Sequence, residues 1–217
     1  MTDFAARRRM MVDTQVRPSD VTKFPIIDAM LKVAREPFVP NAQREAAYAD
    51  QLISLGGGRY MLEPRTLAKM LDWLNIGLDD SVLDIGSGYG YSAAVAAHMS
   101  QFVVAVEEDE AMADEAQEIL SEISADNAIV HCGPLAGGAP EHGPYDVIMI
   151  QGGVEEVPQA LLDQLKEGGR IVCIFMEDNL GTVRVGYANS GQITWRFAFN
   201  AGAPILHGFE KRRSFAL

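Results

Sequence analysis

The residues best placed to do chemistry lie in one short stretch, Val82-Leu83-Asp84-Ile85-Gly86-Ser87-Gly88-Tyr89-Gly90. An apolar run leads into three glycines at alternate positions, and a helical pattern follows them. Glycines there let backbone approach a ligand without Cβ clashes, and the helix start behind them offers free N–H groups. Glu107 ends the next apolar run, 17 residues after Gly90. A carboxylate at that place can accept both hydroxyls of a ribose, and Glu108 beside it is a second candidate. The chemistry indicated is the holding of a nucleoside cofactor.

Two such cofactors compete for the turn. Gly88-x-Gly90-x-x-Ala93 fits the dinucleotide pattern, so spelling alone leaves NAD open. Three features favour S-adenosyl-L-methionine (AdoMet), with S-adenosyl-L-homocysteine as its product. Asp84 stands two residues before the first glycine, where a carboxylate can meet the ammonium of a methionine moiety. No Lys or Arg occurs between Lys69 and Lys166, so nothing there pairs with a pyrophosphate. The chain also finishes in a hairpin pattern typical of methyltransferases.

The elements that must position the turn are readable around it. From residue 81, apolar runs at Ser81–Ile85, Phe102–Val106, Ala128–Cys132, Val147–Ile150 and Arg170–Phe175 alternate with helical segments at Ser92–Met99, Asp109–Ile123 and Pro158–Lys166. That alternation predicts a parallel sheet covered on both faces, with right-handed crossovers. Thr182–Ala188 and Gln192–Phe199 flank Asn189-Ser190-Gly191 as an antiparallel hairpin. Before the turn, Phe4–Val16 and Phe24–Phe38 read as helices stopped by Pro18 and by Pro37 and Pro40. Residues 51–66 read as a loop around Gly56-Gly57-Gly58, and Thr66–Leu74 as a short helix. The expected fold is α/β: a Rossmann-like, mostly parallel twisted sheet with helices on both faces and a C-terminal hairpin. Residues 1–66 form an N-terminal helical segment and loop, and 67–217 the cofactor-binding part of one compact unit.

Composition narrows the function. The 217 residues carry a net charge of −12, and 18 of the 30 acids fall between Lys69 and Lys166, leaving the flanks at +6. Such an acidic middle argues against a nucleic-acid groove. No apolar run approaches the roughly 20 residues of a membrane span. Arg7, Arg8 and Arg9 precede no apolar stretch, so no secretory signal is expected. Two distant cysteines, Cys132 and Cys173, fit a reducing cytoplasm and read as buried small residues. His98, His131, His142 and His207 are scattered, so no metal site is expected. Trp73, Trp195, Phe197 and Phe199 read as packing residues, the last three alternating on one strand face. Glu210-Lys211-Arg212-Arg213 reads as charge guarding a sheet edge.

The chain resembles the protein-L-isoaspartate O-methyltransferase family over nearly its whole length. Met11-Val12 with Gln15 resembles the family's opening helix. Asp28-Ala29-Met30 and Arg35-Glu36-Pro37-Phe38-Val39-Pro40 resemble its "AM..VPRE.FVP" signature, and Ala47-Tyr48-Ala49-Asp50 its "AY.D". Asp84–Gly90 with Tyr91-Ser92-Ala93-Ala94-Val95 resembles its cofactor motif. Pro144-Tyr145-Asp146, Gln164-Leu165 and Gly168-Gly169-Arg170 also fit. The resemblance implies the class I methyltransferase fold, AdoMet as donor, a carboxylate-bearing protein or peptide as acceptor, and repair of isoaspartyl damage.

The departures fall mainly on the acceptor side, with one at the adenine end of the donor site. The family's loop reads roughly "LPIGxGQTISQP"; here Arg59 replaces the Gln, Tyr60 the Thr and Leu62 the Ser. The resemblance implies that this last hydroxyl faces the reacting centre, and Leu62 can neither donate nor accept. The family's "GDG" becomes Gly133-Pro134-Leu135, which removes the Asp implied to meet the adenine amino group. Its "TAA" becomes Gln151-Gly152-Gly153. The expected donor site is therefore Asp84, Gly86, Ser87, Gly88, Gly90, Glu107 and Glu108, with Pro134 and Leu135 at the adenine end. Acceptor-side candidates are Arg59, Tyr60 and Leu62, with Arg59 as an anchor for the acceptor carboxylate.

Methyl transfer to a carboxylate needs no general base, because the acceptor is already ionised at neutral pH. The protein supplies alignment and a dry site, so the lack of a catalytic His or Cys is no objection. Three readings stand. They are an isoaspartyl carboxyl methyltransferase, a diverged methyltransferase with another acceptor, and a non-catalytic AdoMet-binding module.

Overall fold

The computed structural model describes residues 3–211; Arg212 and Arg213 of the basic run lie outside the described residues. Helix α1 (Phe4–Met11) starts at Asp3, whose side chain accepts from the Ala6 N–H at 2.9 Å. The run continues as a π-helical turn (Val12–Val16) and a 3₁₀ turn (Arg17–Ser19), so Pro18 lies inside its tail rather than stopping it. Helix α2 (Phe24–Lys32) carries Pro25 in its first turn and ends at an extended Val33, short of the expected Phe38. Pro37 cannot donate to residue 33, and Glu36–Phe38 forms a separate 3₁₀ turn.

The expected loop is a small antiparallel hairpin, β1 (Ile53–Gly56) and β2 (Arg59–Met61). Gly57 and Gly58 turn it at φ +55° and +78°, the left-handed pair that matches strand twist. Helix α3 (Pro64–Leu74) opens on Pro64 and ends at left-handed Asn75.

The central sheet contains β3 (Ser81–Ile85), β4 (Phe102–Glu107), β5 (Ala128–Cys132), β6 (Tyr145–Val154), β7 (Leu165–Glu177), β8 (Leu180–Asn189) and β9 (Gln192–Asn200). Their order is β5-β4-β3-β6-β7-β8-β9. Pairs among β3 to β7 are parallel, and β7–β8 and β8–β9 are antiparallel. Helices α4 (Tyr91–Ala97), α5 (Glu110–Glu122) and α6 (Gln159–Leu162) connect the parallel strands. The helix expected over Pro158–Lys166 is only four residues long, because Leu165 already pairs with Tyr145 in the sheet.

Adjacent strand residues enter opposite cores. Val82, Val103 and Val147 join a cluster with α1 to α4 and the hairpin, while Leu83, Val104 and Ile148 join a second on the other face. This two-sided burial is why those strands are apolar throughout. Two packing expectations are corrected. A register shift at Val183/Arg184 sends Phe199 to the first cluster and Trp195 to the second, and leaves Phe197 60% exposed. One extra residue in a strand reverses its faces. Trp73 is also 39% exposed, and Cys132 is exposed at the end of edge strand β5, whereas Cys173 is buried in central β7.

Candidate active site

The strand order reverses between β3 and β6, and a crevice opens there at the carboxyl ends of the strands. The glycine turn lines its floor. Gly86, Gly88 and Gly90 take φ of +73°, +57° and +92°, a region that strains other residues. Ser87 Oγ is buried there with no partner among the described residues.

Asp84 lies beneath the turn, fully buried. It accepts from Ser92 Oγ at 2.6 Å and from Gln151 Nε2 at 2.8 Å. Burial still pushes its carboxyl up to about 7, opposed by those two bonds and assisted by the charge of Glu107. Ser92 and Gln151 were not expected as site residues. Sequence alone showed Gln151 only as a departure from the family pattern.

Glu107 is fully buried at the end of β4. Its Oε1 accepts from the backbone N–H groups of Glu108 and Asp109 at 2.9 and 3.2 Å, and its Oε2 from Gly88 N–H at 3.1 Å. Arg59 Nε lies 3.1 Å from both oxygens. The Arg59 guanidinium reaches Glu108 as well, at 2.5 Å. His207 Nδ1 approaches Glu108 from the C-terminal stretch at 3.3 Å. Partial burial pushes the Glu108 carboxyl up, but bonds from Arg59 and His207 prevail and hold it below the usual range.

Arg59 is thus placed differently from the expected acceptor anchor. It is 4% exposed and already paired with two carboxylates of its own chain. Tyr60 and Leu62 line a cavity with Leu55, Ser87, Tyr91 and Gln151. Free space there is about 20 Å³, room for about one water. Leu135 is buried and approaches Gly86 together with Leu206. Pro134 caps the 3₁₀ turn that carries Leu135, so this end of the crevice has an apolar wall.

Arg35, seen in the sequence only as part of a signature, proves central to the site's scaffold. It is fully buried; its Nε donates to the Ala47 carbonyl at 2.6 Å and its Nη2 to the Leu62 carbonyl. Its guanidinium packs 4.6 Å from the centre of the Tyr91 ring. Burial lowers its pKa from the ordinary value. The segment from Ile26 to Val39 also carries Asp28, Lys32 and Glu36, so charge pattern alone does not single out Arg35. The histidines also differ from expectation. His131, Glu141 and His142 come together, their ligand-type atoms within 4.8 Å of one another, and His131 Nδ1 lies 3.0 Å from Glu141.

The floor combines bare glycine backbone, a Ser87 hydroxyl without a partner among the described residues and the buried Glu107 carboxylate at the end of β4. A doubly wound sheet finished by an antiparallel hairpin, with this turn at its switch point, defines the class I methyltransferases. Within that class, the family model described as protein-L-isoaspartate(D-aspartate) O-methyltransferase matches residues 7–193. A protein-L-isoaspartate O-methyltransferase of Roseiflexus castenholzii is 36% identical over 170 residues, covering 78% of each chain. One of Opitutus terrae is 35% identical over 200 residues, 92% of this chain and 82% of the relative. The chain belongs to the protein-L-isoaspartate O-methyltransferase family. A solved structure bearing that family's name superimposes with a TM-score of 0.82 at 26% identity, over 93% of this chain and 66% of the other. A Plasmodium falciparum structure, described as a beta-aspartate methyltransferase in complex with S-adenosyl-L-homocysteine, gives 0.79 at 20% identity, over 95% and 99%. That last likeness concerns the fold.

Proposed function

We propose that the chain transfers a methyl group from AdoMet to the α-carboxyl of L-isoaspartyl residues in damaged protein, in the cytoplasm. The observation that carries this reading is the floor of the crevice, where the Gly88 N–H closes on the Glu107 carboxylate beside a buried Asp84. Bound AdoMet supplies an electrophilic methyl on a sulfonium. Glu107 would hold the ribose, Asp84 the ammonium end, and Leu135 with Leu206 the flat face of the base. Asp84, with its carboxyl near 7, becomes fully ionised when a cation is brought against it. Leu55, Tyr60 and Leu62 exclude water from the reacting end, which strengthens charge interactions there. The acceptor carboxylate attacks in line and needs no base. In the resulting methyl ester, methoxide is a better leaving group than the free carboxylate's oxygen. The neighbouring amide nitrogen attacks the ester carbonyl, the C–OCH3 bond breaks, methanol departs with the amide proton, and a succinimide forms.

The test uses labelled AdoMet and two peptides differing only in Asp against isoAsp, read as base-labile methyl ester. Label on the isoAsp peptide alone supports repair activity. A second reading, a different acceptor, is favoured by Leu62: its buried side chain lines the cavity where the resemblance implies a hydroxyl. No label on either peptide, with donor still bound, selects that second reading.

A further inference from the structure

We propose that Arg59 sets the affinity of the donor site by competing with the donor's ribose for Glu107. The proposal rests on the reading of Glu107 as the ribose carboxylate. A carboxylate offers about four acceptor sites. Those of Glu107 already serve three backbone N–H groups and the Arg59 Nε, which is shared by both oxygens. Two ribose hydroxyls can be accepted there only after the guanidinium withdraws.

Three further observations place the whole hairpin in that role. A Cβ on Gly88 would lie 2.5 Å from Leu55 Cδ1, so Leu55 of β1 rests on the bare backbone where a ligand would lie. The free space left beneath the hairpin is about 20 Å³, against the several hundred Å³ of a small-molecule site. The hairpin also has the means to move. Gly56, Gly57 and Gly58 all hold positive φ, and a Cβ on Gly56 or Gly58 would meet nothing within 4 Å. The tip is therefore loosely packed, while Ile53 and Met61 anchor the base of the hairpin in the core and Leu55 and the Arg59 pairs hold its outer half on the glycine turn.

The pairs are well suited to the task. Arg59 and Glu107 are 4% and 0% exposed on their side chains, so solvent and salt screen them little. Glu108 is 29% exposed and adds a second hold on the same guanidinium. The resemblance puts a neutral Gln at position 59, which could occupy the hairpin without claiming Glu107.

The experiment measures binding of S-adenosyl-L-homocysteine by calorimetry, together with thermal unfolding without ligand. It compares the full chain with Arg59→Gln and with Glu108→Gln, which loosens Arg59 without touching Glu107. The expected result is at least a tenfold tighter Kd for Arg59→Gln and a severalfold gain for Glu108→Gln, with a lower melting temperature for both. A variant less stable yet tighter-binding cannot arise from general structural damage. Measurable but unchanged or weaker binding in both variants would overturn the competition while leaving the donor reading intact. No binding by any of the three proteins would overturn both.

Discussion

The floor of the crevice and its lid obey different constraints. The floor is a strand, a turn and a helix start whose positions admit few residues: Gly86, Gly88 and Gly90 hold left-handed backbone, and Asp84 and Glu107 sit fully buried. The lid is the hairpin Ile53–Met61 with Leu62 directly after it, and its side chains do different things. Leu55 and Leu62 pack, Tyr60 lines the cavity, and Arg59 ties the lid to the floor. Backbone geometry limits change in the first region, and side-chain chemistry defines the second. The family's pattern accordingly persists in the floor and is rewritten in the lid.

That contrast can be broken at graded cost, beginning with Asp84. Its carboxyl, near 7 in the fold, lies about three pH units above the unfolded value. A raised carboxyl favours the folded state most below pH 4, and this contribution is lost as pH rises from about 4 to 7. The expected swing is of order 4 kcal/mol. Urea unfolding across that window checks it: Asp84→Asn should remove this part of the slope and gain on the wild type towards pH 8. Next comes Arg35→Ala, which unpairs the Ala47 and Leu62 carbonyls and removes the Tyr91 contact. A loss of about 3 kcal/mol is expected in the same measurement. It tests whether the lid depends on the N-terminal segment.

Gly88→Ala should cost about 1–2 kcal/mol, because a Cβ is strained at φ +57° and would push Leu55 aside. Donor binding should weaken with it, and calorimetry with S-adenosyl-L-homocysteine would show this. The smallest change is Tyr60→Thr at a half-buried lid position. Stability should shift by less than about 1 kcal/mol, while the KM for an isoaspartyl peptide changes and donor affinity does not. If Tyr60→Thr altered donor affinity as much as Gly88→Ala, the division between floor and lid would fail.

Much of this molecule is determined by local pattern. Ser81–Ile85 and Ala128–Cys132 appear as strands with the expected bounds, because buried parallel strands are uninterrupted apolar runs between breakers. The glycine turn and Glu107 are legible for a similar reason: left-handed backbone demands glycine, and a carboxylate that ends an apolar strand stands out from the residues before it. Arg35 and Phe197 show the limit. Whether an arginine is buried, or which face an aromatic takes after a bulge, depends on partners distant in the chain. The same holds for Arg59. Its type and its place in a closing loop are visible in sequence, but its partner lies 48 residues away across the crevice. Only the packing of hairpin on turn decides that the guanidinium meets Glu107 and Glu108 rather than an acceptor. A short-range pattern sets backbone preference and burial, whereas the pairing of charges is set by which surfaces the fold brings together.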